Sequence, residues 1–229
     1  VKVFLETFKN MKQMPGLILK TSGASFSILE ERKLKGEVSV GKQKIKGNLP
    51  NVYFLHGDFT DDEMNELYNH PKVKAHITLT HGEGFGRPLL EATLSQKPVI
   101  APNWSGHLDF LSKDLAVLLG GGQQDVQRGA VPDDMYNEGA QWFSVNYQHA
   151  SKTMKDVYKS YKKYTLNAKK LAMVNKSKFS LDAMTKKLGK ILDQYVPAFS
   201  KEVELKLPKL KKVGSGKSPK IKLPKLKKV

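Results

Sequence analysis

Thr80-His-Gly-Glu-Gly-Phe-Gly-Arg-Pro-Leu-Leu-Glu-Ala-Thr-Leu-Ser-Gln-Lys-Pro-Val-Ile-Ala101 decides how this 229-residue chain is read. The segment entering it, His76 to Thr80, is a short apolar run of the kind that forms a buried strand. Three glycines at 82, 84 and 86 then allow a ligand close to the backbone. Pro88 suits the first turn of a helix, where no N–H is required, and the helix is predicted to run to about Ser95. Val99-Ile-Ala101 begins the next strand. A strand, a glycine loop and a helix in this order aim free N–H groups at the strand's carboxyl end, which suits a phosphate or diphosphate. Glu83 stands in the loop and Glu91 about one turn into the helix. A carboxylate accepts hydrogen bonds from two adjacent hydroxyls, so Glu91 fits a ribose diol and Glu83 a sugar hydroxyl beyond the phosphates. The residues equally allow a tight turn with Glu91 merely favouring its helix. The spacing is not G-x-G-x-x-G, which disfavours NAD, and no Walker loop occurs.

The same alternation extends outward. Val1, Phe4, Leu5, Phe8 and Met11 lie at helical spacing, and Pro15-Gly16 stops that helix. Leu17-Ile-Leu19, Val52-Tyr-Phe-Leu55 and Ala116-Val-Leu-Leu119 read as strands. A helix is expected near Ile28–Lys33, followed by a Lys- and Gly-rich loop. Another begins at Thr60, with a cap and acids in its first turn. A short helix from Ser105 to Leu111 is expected, capped by Ser105. Residues 120–138 read as a long loop over one end of the sheet. Two amphipathic helices follow, one with Met154, Val157, Tyr158, Tyr161, Ala168, Leu171 and Ala172 on a face, the other with Leu181, Met184, Leu188, Ile191, Leu192 and Tyr195. Strands separated by helical segments predict an α/β fold with a parallel sheet and flanking helices.

Composition narrows the classes. There is no Cys, which excludes disulfide scaffolds, thiolate zinc sites and thiol catalysis. No apolar run reaches a membrane-spanning length. No signal peptide is visible, and a cytoplasmic protein is expected; the chain opens on Val1 within an apolar helical pattern, which allows a truncated or processed N-terminus. The formal net charge is +17, unevenly placed. Residues 201–229 carry 11 Lys against Glu202 and Glu204, and Lys206-Leu-Pro-Lys-Leu-Lys-Lys-Val213 recurs as the last eight residues. This segment reads as a disordered basic tail within a 197–229 region. It is either a solubilising tail or an arm for anionic membrane or polyanion, the membrane favoured because no aromatic lies beyond Phe199. Such an arm would place the protein peripherally at a membrane.

Glu83-Gly-Phe-Gly-Arg-Pro-Leu-Leu-Glu91, with Lys97-Pro-Val-Ile-Ala101 and the Ser105-Gly106 turn, resembles the E-x7-E motif of retaining GT-B glycosyltransferases of the family-four type. The resemblance covers roughly residues 1–196 and implies a Rossmann-like, nucleotide-sugar donor-binding domain, one half of a GT-B fold. It implies a catalytic electrostatic role for Glu83 at the donor sugar and ribose binding by Glu91. Gly84, Phe85, Gly86 and Arg87 would meet the sugar and diphosphate, and Gly57, Asp58 and Phe59 would form a base-contact loop. A nucleoside-diphosphate sugar would be the co-substrate, with no cofactor and no metal. His56, Asp58 and Asp61 could suggest a metal cluster, but Asp58 and Asp61 read more simply as turn and helix caps. Two departures stand out. The family's phosphate-clamping Arg and Lys precede the first helix here and have no match, Lys2 lying inside that helix. The first strand and the N-terminal acceptor domain are likewise missing, or supplied by a partner chain, so this chain alone is expected to transfer little or no sugar; the alternatives are a non-catalytic nucleotide-sugar-binding module and a polyanion- or membrane-docking protein acting through the basic tail. His81 precedes the glycine loop and could reach the donor site, although it reads more simply as a solvated loop residue, and Trp104 and Trp142 read as packing or cleft-rim residues.

Overall fold

A computed structural model describes residues 1–21 and 27–197. The basic-tail expectation falls outside the described residues. Chain contacts divide the protein into Val1–Lys187 and Leu188–Val229; the description below concerns the first unit unless stated.

The elements run α1 (Lys2–Phe8), β1 (Leu17–Thr21), α2 (Ile28–Gln43), β2 (Val52–His56), α3 (Asp61–Asn69), β3 (His76–Ile77), α4 (Arg87–Leu94), β4 (Val99–Pro102), β5 (Val117–Leu119), β6 (Gly121–Asp125), β7 (Gln141–Val145), α5 (Tyr147–Lys159), α6 (Tyr161–Lys178) and α7 (Leu181–Tyr195). This is the expected α/β architecture of parallel strands flanked by helices. β1 pairs with β2, and β3, β4 and β5 form a second ladder, all parallel.

β4 organises the core. All four of its residues are buried. Ile100 faces Phe8, Leu119, Phe143, Val145, Ala150, Met154 and Val157. Its neighbours Val99 and Ala101 face the opposite way, onto Leu89, Ala92, Phe110, Leu111 and Leu171. Side chains alternate along a strand, so one strand joins two apolar layers, as a parallel strand covered on both sides must. β5 buries Leu119 fully, while β1, β2 and β3 bury no residue fully.

Local chemistry sets the helix starts. Thr60 and Glu63 form a reciprocal capping box at α3: the Glu63 N–H donates to Thr60 Oγ1 (3.3 Å) and the Thr60 N–H to Glu63 Oε2 (2.8 Å). Asn146 Oδ1 accepts from the His149 N–H (3.0 Å) at α5. In three places the chain departs from expectation. α2 continues to Gln43 through the presumed loop; Ser27 caps it, Glu30 and Glu31 lie in its first turn, and Lys42 in its last. It buries no residue, so no apolar period marked its length. The helix expected to span Met154 to Ala172 is two helices, parted at Ser160, whose backbone leaves helical geometry (φ −105°, ψ 31°). Residues 120–138 are not simply loop: β6 pairs antiparallel with β7. β6 is Gly-Gly-Gln-Gln-Asp and wholly exposed, so it carries no strand pattern.

His76 on β3 has its ring 6.0 Å from that of Tyr68. Burial holds its pKa below the ordinary 6.5. The unfolded chain then binds the proton first as pH falls, so His76 contributes stability above about pH 6.5 that is lost on acidification. The urea midpoint should fall between pH 7.5 and 5.5, and by less in His76→Gln; equal falls would contradict this assignment.

Candidate functional site

The glycine loop is held from below by the chain after β4. Ser105 Oγ donates to the Glu83 carbonyl (2.7 Å) and accepts from the Glu83 N–H (3.1 Å). The Gly106 N–H donates to the same carbonyl (3.0 Å). Ser105 therefore does not cap the short turn Gly106–Asp109, as the sequence suggested; its hydroxyl clasps Glu83, and the turn has no side-chain cap. Ser105 takes φ 83° and ψ −173°, a region nearly confined to glycine that costs on the order of 1–3 kcal/mol. At Gly106 a Cβ would overlap the Gly84 carbonyl oxygen. His107 lies fully buried beneath. Its Nε2 lies 2.7 Å from the Pro102 carbonyl, which can only accept, so Nε2 carries the proton. Nδ1 is then a buried acceptor with no partner among the described residues.

Above this base the loop turns into α4. Gly86 is the residue before the helix, in left-handed geometry (φ 83°), and no side chain caps the helix start. Nothing lies within 4 Å of where a Cβ on Gly84 would be, so the loop's crest is open. Phe85 is half-exposed and packs on Phe110 (5.2 Å) and Phe179 (6.2 Å). The Glu83 side chain is half-buried, and no hydrogen bond to its carboxylate occurs among the described residues. Arg87 Nε donates to Glu91 Oε1 (3.1 Å), so two predicted site residues are paired with each other on the outer face of α4. The Tyr68 hydroxyl is pushed up to about 12, by burial first and by the negative charge of Glu91 second, with Arg87 opposing.

The predicted base loop is anchored by the ends of β1 and β2. Gly57 has φ 120° and its N–H donates to the Thr21 carbonyl (3.1 Å). Lys20 Nζ donates to the Gly57 carbonyl (2.7 Å) and lies 4.8 Å from the Phe59 ring centroid. Asp58 is exposed. Gly57, Asp58 and Phe59 are thus fixed to the ends of β1 and β2, and their described contacts do not reach the glycine loop. Lys20 was missed; nothing in a lysine ending an apolar run announces a contact 37 residues away.

His81 is an exposed loop residue, as its position suggested, but its ring is held in place. Its Nδ1 donates to the Phe143 carbonyl (2.7 Å), and its ring stacks on Trp142 (3.9 Å, 2°). Trp104 lies parallel to Phe143 (5.9 Å, 6°). Among the described residues no three acids or histidines gather as a metal site, and His56, Asp58 and Asp61 form no such group. Nor is any described helix long and apolar enough to cross a membrane. A recess of about 430 Å³ opens beside Gly120, Gly121, Gly122, Ser144, Asn146 and His149, and no predicted site residue lines it. The His149 N–H there donates to Asn146 Oδ1, and the Gly120 N–H to His149 Nδ1 (3.1 Å).

No family model and no curated protein matches this chain. Solved structures do share its fold. HepE from Anabaena, crystallised with UDP and glucose and with UDP-glucose, matches with a TM-score of 0.57 at 14% identity, over 84% of this chain and 44% of that one. Sucrose-phosphate synthase from Thermosynechococcus elongatus matches with a TM-score of 0.56 at 14% identity, over 84% and 41%. A glycosyltransferase from Rickettsia africae matches with a TM-score of 0.53 at 17% identity, over 84% and 43%. The chain therefore spans less than half the length of these neighbours. At such identities the likeness shows the fold, the Rossmann-like half of a GT-B architecture.

Proposed function

We propose that this chain is the donor-binding half of a retaining glycosyltransferase of the family-four type. Its ligand is a nucleoside-diphosphate sugar. The acceptor side would come from an N-terminal domain or a partner chain. The observation that carries the reading is the uncapped start of α4 at Gly86, with the open Gly84 in front of it and Glu91 one turn behind. Unsatisfied N–H groups at a helix start attract a diphosphate, so the amides of residues 84–87 would hold the leaving group. Glu91 would exchange Arg87 for the ribose hydroxyls. Exposed pairs of this kind are worth only about 0–1 kcal/mol, so the exchange costs little. Arg87, once released, would sit near the diphosphate. Glu83, its backbone clasped by Ser105, would present a carboxylate to the donor sugar, and Gly57, Asp58 and Phe59 would border the base. The UDP ligands of HepE support a nucleotide sugar as the ligand class. With backbone amides and Arg87 carrying the neutralisation, no metal is needed.

Calorimetric titration with UDP, GDP and ADP sugars tests the reading. One of them should bind, and Glu91→Ala should weaken it about tenfold, the loss of roughly 1.4 kcal/mol for charge-assisted hydrogen bonds. Unchanged affinity in Glu91→Ala would reject the ribose role. The isolated chain should bind without measurable sugar transfer.

A further inference from the structure

We propose that Trp104 is a platform for a pyranose ring, its exposed indole face receiving the apolar C–H side of a sugar beside the glycine loop. Trp104 is 47% exposed, although it is among the most burial-prone side chains by area. It is not loose. One side lies parallel to Phe143, which is itself buried. Its chain neighbour Ser105 is locked in strained geometry by the bonds to Glu83. Strain of this sort persists where surrounding contacts over-determine it, and it gathers at ligand clamps. The indole edge adjoins Gly82: a Cβ built there would stand 3.9 Å from Trp104 Cδ1 and 3.3 Å from Ser105 Oγ. Trp104 and the Glu83 loop thus share a surface.

The flank is also prepared. His81 is fixed by its Nδ1 bond to Phe143 and by its stack on Trp142, which leaves Nε2 as an acceptor next to Gly82. A pyranose presents axial C–H groups on one face and hydroxyls around its rim. Gly82, which adjoins the indole edge, is flanked in the chain by His81 and Glu83, so an imidazole nitrogen, a carboxylate and backbone amides stand on the neighbouring segment, which matches that pattern. An indole held by two torsions loses little freedom on binding. The placement beside the donor loop rests on the proposed function, but the ligand chemistry does not. The ring can belong to the nucleotide sugar or to a free saccharide acceptor.

The chain has two tryptophans, so Trp142→Phe leaves Trp104 as the sole indole reporter. Acrylamide quenching of its fluorescence is measured with UDP, UDP-glucose and maltose. UDP alone should leave quenching unchanged. Protection by UDP-glucose assigns the platform to the donor's sugar, and protection by maltose assigns it to an acceptor. Trp104→Ala should keep UDP affinity while weakening the protecting saccharide ligand roughly tenfold. Equal quenching with every saccharide ligand overturns the proposal, as does full protection by UDP alone, which would make the indole a base-stacking residue. Failure of UDP to bind while maltose still protects would reject the nucleotide reading and leave the platform standing.

Discussion

Gly106→Ala should unfold at markedly lower denaturant and lose nucleotide-sugar binding together. The added methyl would overlap the Gly84 carbonyl and sit 3.0 Å from the Glu83 carbonyl, both backbone atoms that cannot swing aside like a side chain. Relief requires the 82–86 and 103–107 segments to part. That breaks the Gly106–Glu83 bond and both Ser105 bonds. Overpacking of this kind costs about 1–3 kcal/mol and the lost hydrogen bonds about 1 kcal/mol each. Gly84→Ala is the informative contrast. Nothing lies within 4 Å of its Cβ position and its φ is not positive, so stability should hold within about 0.5 kcal/mol. Binding should nonetheless fall, because the methyl enters the space the ligand would occupy. Paired urea melts and titrations check both. A Gly106→Ala protein melting like the parent would refute the clasp as a rigid support.

Phe110→Ala should be the most damaging of the single truncations near the site. The ring is 3% exposed, stands in the cluster with Leu89, Val99 and Ala101, and contacts both Phe85 and Phe179. Removing a buried phenylalanine costs about 3–5 kcal/mol, a large share of the 5–15 kcal/mol typical of a whole domain. Phe85 would lose its nearest ring at 5.2 Å, so the glycine loop would become mobile as well as the core weaker. Phe110→Leu, which refills most of the volume, should recover most of the stability but only part of the binding. Denaturation midpoints together with affinity separate these effects; full binding in Phe110→Ala would show that the loop does not depend on its ring support.

How much of this was legible in the residues follows from where the determining contacts lie in the chain. The strands before 57 and 103 were legible, because short runs of consecutive apolar residues such as Val99-Ile-Ala101 read as strands; of the strand expected over residues 76–80, only His76–Ile77 forms one. The α4 start was legible from Gly86 and Pro88, whose backbone needs are local. The Ser105 hydroxyl was misassigned because a serine before a helical turn is ordinarily a cap, and the Glu83 contact that claims it is 22 residues away. Gly106 looked like any turn glycine; its necessity is steric and imposed by Gly84. The extension of α2 to Gln43 and the whole of β6 escaped because neither element buries a residue, and burial is what prints a period on a sequence. The Phe143–Trp104 and Trp142–His81 stacks were invisible for the same reason as Lys20: ring faces meet across the fold, not along it.

The Arg87–Glu91 pair bears on ionic strength. In a strongly cationic chain, affinity for a phosphorylated ligand would ordinarily fall steeply with added salt. Under the proposed function, salt also weakens the pair that must open before Glu91 reaches a diol and Arg87 reaches a phosphate. The two effects oppose each other, one lowering the attraction and the other the cost of access. The binding constant should then vary less with salt than the net charge alone would dictate, because part of the charge at the site is already spoken for in the empty state.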